Sequence, residues 1–324
     1  MLGMEDTLIA GAGPIGLACA VSAKRHGVDP LVIDAGPVVN SVVRYPIGMT
    51  FFTTPEKMEI GGHPFACAGQ KATREEALKY YRGVARNEGL RVRPFVRLTG
   101  AERRDGAIHC VLATPGGEEH VTTRRLVLAT GYFDHPNLLG VPGEDLPHVS
   151  HYFDEPHRGF NLDVVVIGGR NSAVETALEL YRAGARVTLV YRGKELPASI
   201  KYWVRPDIEN RIKAGEIAAR LGAEVERITG DAVVITQGRK EDTLPAQRVY
   251  ALTGYHPDFE LFQGMGIALD PQTLRATVNP DTRETNVPGI YMVGSISAGR
   301  AISEIFIENG RFDGEKIFGS GRKS

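Results

Sequence analysis

Short apolar runs, each ending at a glycine, recur along the chain. Thr7-Leu8-Ile9-Ala10 leads into Gly11, and Val164-Val165-Val166-Ile167 leads into Gly168. Runs of this length bounded by a turn signal read as buried strands. Behind each turn the period changes. Leu17 to Arg25 and Val174 to Arg182 carry apolar residues at helical spacing and stop at Gly27 and Gly184, the residue type that ends helices in a left-handed conformation. Leu31-Val32-Ile33-Asp34 and Thr188-Leu189-Val190-Tyr191 then return to strand. One constant offset aligns the two β-turn-α-β units. It maps Gly11-Ala12-Gly13-Pro14-Ile15-Gly16 onto Gly168-Gly169-Arg170-Asn171-Ser172-Ala173, Gly27 onto Gly184 and Asp34 onto Tyr191.

Two further strands share one form. Arg124-Arg125-Leu126-Val127-Leu128-Ala129-Thr130-Gly131 and Val249-Tyr250-Ala251-Leu252-Thr253-Gly254 each end in Thr-Gly, and chain crossings between domains are expected just after them, near 135 and 256. Gly289 to Ser295 is one more strand-to-turn element, followed by a helix expected over 301–310 whose N-terminus would carry about half a positive charge. The expected fold class is α/β, with two three-layer Rossmann-like domains. The first is discontinuous, over 1–134 and 257–324, and the second is inserted between its parts, over 135–256.

The glycines bring in chemistry. In a dinucleotide-binding βαβ unit they let the backbone approach a pyrophosphate at a helix N-terminus, and an acid about 20 residues on takes a ribose hydroxyl. Gly11, Gly13, Pro14 and Gly16 with Asp34 fit that pattern and read as an FAD site. In the second copy Tyr191, Arg192 and Lys194 replace the acid, so an anionic ribose would be attracted, and Gly168, Gly169, Arg170, Asn171 and Ser172 read as an NADPH turn. Arg192 is placed to pair with the 2'-phosphate. Arg170, standing where a second turn glycine is usual, either meets the pyrophosphate as a cation or faces solvent.

Composition limits the classes. Glycine supplies 38 of 324 residues, above the usual ~7%, as close backbone approaches to ligands would require. A net charge of -1 argues against nucleic acid as a partner. No apolar run reaches the ~18 residues of a membrane span, and no signal-peptide pattern opens the chain, so a cytoplasmic protein is expected. The three cysteines, Cys19, Cys67 and Cys110, form no CxxC and no zinc or iron-sulfur spacing, and no metal is expected. Cys19 and Cys110 read as core residues and Cys67 as a loop thiol. His63 and His256, each before a proline, read as structural loop residues.

Taken together, several segments resemble the bacillithiol disulfide reductases, also called bacilliredoxin reductases, a branch of the thioredoxin-reductase-like flavoproteins. They are Tyr45-Pro46 with Met49-Thr50-Phe51-Phe52, Ile60-Gly61-Gly62, the second glycine turn, Tyr191-Arg192-Gly193 with Ser199-Ile200-Lys201, Gly254 to Asp258, and Ile305 to Gly310. The resemblance implies that Ala35, Thr50, Thr130, Gly131, Gly294, Ser295 and Ile302 join the FAD site, and that Ser199 and Lys201 join the NADPH site. It also implies a small-molecule disulfide as substrate, a place in a bacilliredoxin pathway, and a homodimer or homotetramer. Arg44 and Arg300 are candidates for the substrate's carboxylates, each more simply read as a solvated arginine. Three departures stand out. Tyr132 to Asp163 lacks the CxxC of thioredoxin reductases, Ser295 stands where those enzymes carry Asp, and Ile15 stands where many members of the branch carry Cys. Without a CxxC, reduced flavin would pass electrons directly to the disulfide, with no assigned general acid. A ferredoxin- or quinone-reducing diaphorase, a flavin monooxygenase and a nonenzymatic NADPH-binding module are the alternatives.

Overall fold

The computed structural model describes residues 4–301 and 304–319. The chain divides into two compact units, one of residues 1–44, 48–135 and 255–324, the other of 45–47 and 136–254. Tyr255 and His256 lie with the first unit, and nothing in the sequence pattern signals the three-residue excursion at 45–47.

The first unit is built on a seven-stranded sheet. Glu5–Ala10 runs parallel to Leu31–Asp34, which is flanked by Arg91–Pro94. On its other side lies the end of a long strand, Gly117–Leu128. The first half of this strand belongs to an antiparallel meander with Ala107–Thr114 and Arg97–Arg104, while Leu126 to Leu128 pair in parallel with Ile290–Met292. The register sets Ala10 beside Leu128 and Leu128 beside Met292. Three strands therefore end flush, and the turns after them open at one carboxyl edge, where ligands of open α/β sheets bind.

The helix Pro14–Arg25 follows the first turn, with Pro14 at a first position where no N–H is needed. It buries Leu17, Ala18, Cys19, Ala20, Val21 and Ala23, the face legible as apolar spacing. Gly27 ends it at φ 79°. The tail helix Asp313–Phe318 packs on it so closely that a Cβ on Gly314 would lie 2.8 Å from Cys19 Cα. The unit's core is formed by Leu8, Ile33, Ile108, Leu112, Leu126, Met292 and their neighbours.

The second unit holds a five-stranded parallel sheet in the order Ala218–Leu221, Arg186–Tyr191, Asp163–Ile167, Arg248–Ala251, Val149–Ser150. The helix Asn171–Arg182 buries Ala173, Val174, Ala177, Leu178 and Leu180 against this sheet. A separate antiparallel meander, Ala223–Ile228, Ala232–Gln237 and Lys240–Pro245, closes a second core around Val233, Ile235 and Leu244. The expected pair of α/β nucleotide-binding units is thus observed, each with an added meander.

The tail differs from expectation. A helix through 301–310 is broken at Phe306, whose backbone is extended at φ -116° and ψ -178°. Its N–H donates to Asn309 Oδ1 at 2.8 Å, and Asn309 Nδ2 donates to the carbonyl of Glu304 at 3.1 Å. Among the described residues of 301–310 only the single turn Ile307–Gly310 is α-helical, too short to supply the expected positive N-terminus. Ile302 lies outside the described residues.

Candidate active site

The first glycine turn shows which glycines serve the protein and which leave room for something else. Gly11 has φ 114°, and a Cβ there would lie 2.2 Å from the Ala129 carbonyl oxygen. A Cβ on Gly16 would lie 1.9 Å from the Gly11 carbonyl oxygen. Both are required by backbone packing. Gly13 differs: a Cβ there meets nothing within 4 Å. The same holds for Gly131, at φ 69° on the neighbouring strand exit. Beside it, Thr130 Oγ1 is buried without a hydrogen-bond partner among the described residues. An open face at Gly13 and an orphaned hydroxyl at Thr130 fit an elongated polar group lying across this edge, since buried hydroxyls are otherwise paired.

Asp34 sits at the end of the second strand. Its Oδ2 accepts from Ala12 N at 2.7 Å and its Oδ1 from Gly36 N at 2.8 Å. Burial raises its pKa to about 6; the Asp134 charge adds to this, while the two backbone donors and Arg97 oppose it. Each carboxylate oxygen keeps a lone pair free for a ribose hydroxyl. The ionised form accepts that hydroxyl, so ligand affinity at this edge is expected to be full above pH 6 and to fall as pH drops below it. Retention of FAD after dilution, measured between pH 7.5 and 5, checks this. An Asp34→Asn variant should retain FAD less well with no such slope, and a slope unchanged in that variant would assign the effect elsewhere. Ala35 is half-buried beside Asp34, and Thr50 is exposed, bridged to Thr73.

The third strand exit carries Gly294 and Ser295 at the start of a short 3-10 turn, Gly294–Ala298. Gly294 has φ 69°, and a Cβ on it would lie 2.7 Å from Ile15 Cδ1. A Cβ on Gly310 would lie 2.6 Å from the same methyl. Ile15 therefore fills the space between two side-chain-free backbones, a packing role inside the first glycine turn. Arg44 is part-exposed and its guanidinium pairs with Asp134. Arg300 is exposed.

In the second unit, Gly168 has φ 138° and a Cβ on it would lie 2.4 Å from the Leu252 carbonyl oxygen. Gly169 is glycine for a different reason. A Cβ there would lie 2.5 Å from the Tyr191 ring, and one on Gly193 would lie 2.4 Å from the same ring. Asn171 ties the following loop to the helix start: Lys201 N donates to Asn171 Oδ1 at 2.9 Å, and Asn171 Nδ2 donates to Ser199 O at 3.5 Å. Ser172 and Ser199 are exposed. Lys201 reaches back to Glu175 at 2.6 Å, so a phosphate would have to compete with that carboxylate. Arg170 and Arg192 are exposed and make no ion pair among the described residues, unlike Arg182, Arg186, Arg205 and Arg211 of the same unit. Two unneutralised guanidiniums at a glycine turn suit a phosphorylated ligand.

The remaining candidates have structural partners. His63 Nε2 lies 2.6 Å from Glu88, and Tyr80 donates to the His63 carbonyl oxygen. His256 stacks on Phe259. Burial raises the Cys19 thiol well above its usual range and the Cys110 thiol to about 12. Cys67 Sγ donates to Gly69 O at 2.9 Å. No group of His, Cys, Asp or Glu among the described residues could hold a metal ion. No described helix is long and apolar enough to cross a membrane.

These two nucleotide-turn units are those of a pyridine nucleotide-disulphide oxidoreductase, a family description that matches residues 8–294. The chain belongs to this family and is an oxidoreductase. It is 46% identical over 314 residues to bacilliredoxin reductase Bdr of Bacillus subtilis strain 168, covering 97% of this chain and 96% of that protein. Among solved structures it is similar to the bacillithiol disulfide reductase Bdr of Bacillus cereus, with a TM-score of 0.95 and 43% identity, and to that of Staphylococcus aureus, with 0.92 and 38%; each comparison covers 98% of both chains. The branch that the motifs resemble is therefore the branch to which the chain belongs, with Ile15 in place.

Proposed function

We propose that this chain is an FAD-dependent NADPH oxidoreductase that reduces bacillithiol disulfide in the cytoplasm. The observation that carries the cofactor assignment is the contrast between the two glycine turns. The first is lined by the Asp34 carboxylate and the second by Arg170 and Arg192, which have no ion-pair partner among the described residues. In this reading Gly13 and Thr130 face the FAD pyrophosphate and ribityl region and Asp34 takes the ribose. Arg192 takes the 2'-phosphate of NADPH, with Asn171 holding the loop around it. The substrate assignment is supported by the names of the relatives.

When bound, FAD would supply a two-electron relay between NADPH and the disulfide, so that NADPH, one proton and the disulfide would give NADP+ and two thiols. The protein's share is position and electrostatics. Burial holds the Cys19 and Cys110 thiols protonated, Cys67 Sγ donates to the Gly69 carbonyl, and the thiolate is the reactive form of cysteine. A variant carrying Cys19→Ala, Cys67→Ser and Cys110→Ala is therefore expected to keep wild-type turnover. Loss of disulfide reduction with flavin reduction intact would show that a protein thiol takes part. The test of the function itself is anaerobic NADPH oxidation with bacillithiol disulfide, glutathione disulfide and oxidised ferredoxin in turn. Turnover with bacillithiol disulfide supports the proposal, and turnover with ferredoxin alone replaces it with a diaphorase.

A further inference from the structure

Asp313 is buried at the start of the tail helix, and it belongs to no motif. Its Oδ1 accepts from Arg283 Nε at 2.8 Å and faces a second guanidinium nitrogen at 2.6 Å. Its Oδ2 accepts from the backbone N–H of Gly294 at 3.0 Å. Arg283 itself holds a left-handed backbone at φ 62°, unusual for a residue with a side chain, and its carbonyl accepts from Met292 N at 3.0 Å. Arg283 thus grips the third strand through its backbone and the carboxylate through its side chain. Gly294 is held on three sides: its N–H by Asp313, its carbonyl by Ser297 Oγ at 2.8 Å, and the space a side chain would take by the Ile15 methyl. Strain held in place by surrounding contacts marks functional positions.

We propose that Asp313, oriented by Arg283, is a positioning residue that sets the Gly294-Ser295 turn against the flavin. Ser295 cannot supply the charge that an acid in its place would give, and Asp313 anchors the same turn from the protein side instead. This inference rests on FAD occupying the first unit. Asp313→Asn retains an oxygen for Gly294 N–H but loses the charge and sets an amide against the guanidinium. Arg283→Lys keeps the charge and loses the fork.

Glu315, on the same helix, accepts from Ser22 and His26 and only anchors the tail, which makes Glu315→Gln the control. FAD release from diluted holoenzyme, followed by free-flavin fluorescence, is expected to be at least tenfold faster in Asp313→Asn and accelerated to a smaller degree in Arg283→Lys. In Glu315→Gln it should stay near wild type even though the apoprotein melts earlier. Equal acceleration in Asp313→Asn and Glu315→Gln, tracking loss of melting temperature, would reduce Asp313 to a structural contact and overturn the proposal, as would unchanged release in Asp313→Asn. If Asp313→Asn does not fold, unchanged release in Arg283→Lys overturns it. A wild-type chain that binds no FAD would instead refute the cofactor assignment.

Discussion

Gly13→Val is expected to give soluble, folded protein that purifies without yellow colour, whereas Gly11→Ala is expected to give almost no folded protein. The two glycines stand two positions apart, and the structure separates what each is for. At Gly11 the backbone is at φ 114°, a conformation that costs a side-chain-bearing residue about 1–2 kcal/mol or more. The added Cβ would also stand 2.2 Å from the Ala129 carbonyl oxygen, where only backbone could yield. Moving that backbone disrupts the pairing of Glu5–Ala10 with the end of Gly117–Leu128, the centre of the sheet. With a total stability of only about 5–15 kcal/mol, such losses approach unfolding. Gly13 has φ -71°, ordinary for any residue, and no protein atom within reach of its Cβ. A valine there costs the fold little and occupies the space assigned to the pyrophosphate. Circular dichroism, melting temperature and flavin content of the two variants check the pair. A yellow Gly13→Val protein would move the pyrophosphate elsewhere.

Arg192→Ala is expected to raise KM for NADPH by ten- to a hundredfold and to leave KM for NADH and the melting temperature almost unchanged. A hydrogen bond to a charged group contributes about 1.5–3 kcal/mol, and about 1.4 kcal/mol corresponds to each factor of ten. The side chain is exposed and without an ion-pair partner among the described residues, so its removal breaks no internal contact. Arg170→Ala should have a smaller effect on both coenzymes, because a pyrophosphate is common to them. Steady-state kinetics with each coenzyme decide the matter, and an equal rise for NADH and NADPH would deny Arg192 the 2'-phosphate.

Much of the fold was legible because the nucleotide units are local. A run such as Val164 to Ile167 ending at a glycine, followed by helical spacing to Gly184, is complete within 21 residues, and the structure reproduces it as Asp163–Ile167 and Asn171–Arg182. The strand Ala107–Thr114, in which Ile108, Cys110 and Leu112 alternate as buried positions, is local in the same way. The tail failed for an equally local reason. Helical spacing from 301 to 310 took no account of Asn309, whose side chain bonds the backbone at Phe306 and Glu304 and starts the turn late. Asp313 and Arg283 left no trace in the sequence, since their partner Gly294 is fixed by strand register rather than spacing. Lys201 shows the opposite limit: its position in a motif says nothing of Glu175, one helical turn from Asn171, which already holds it.

The strand Gly117–Leu128 also constrains how the protein is made. Leu126 to Leu128 receive Ile290–Met292 as their last neighbour, and the whole of residues 136–254 is synthesised in between. On the ribosome this strand end therefore remains an open edge, a template for mispairing, while the second unit emerges and closes on its own cores. The carboxyl edge proposed for the flavin cannot be complete until residue 292 has left the tunnel, so loading of a cofactor there follows synthesis of the second unit, and chains truncated before residue 290 should accumulate as aggregates with an intact second unit.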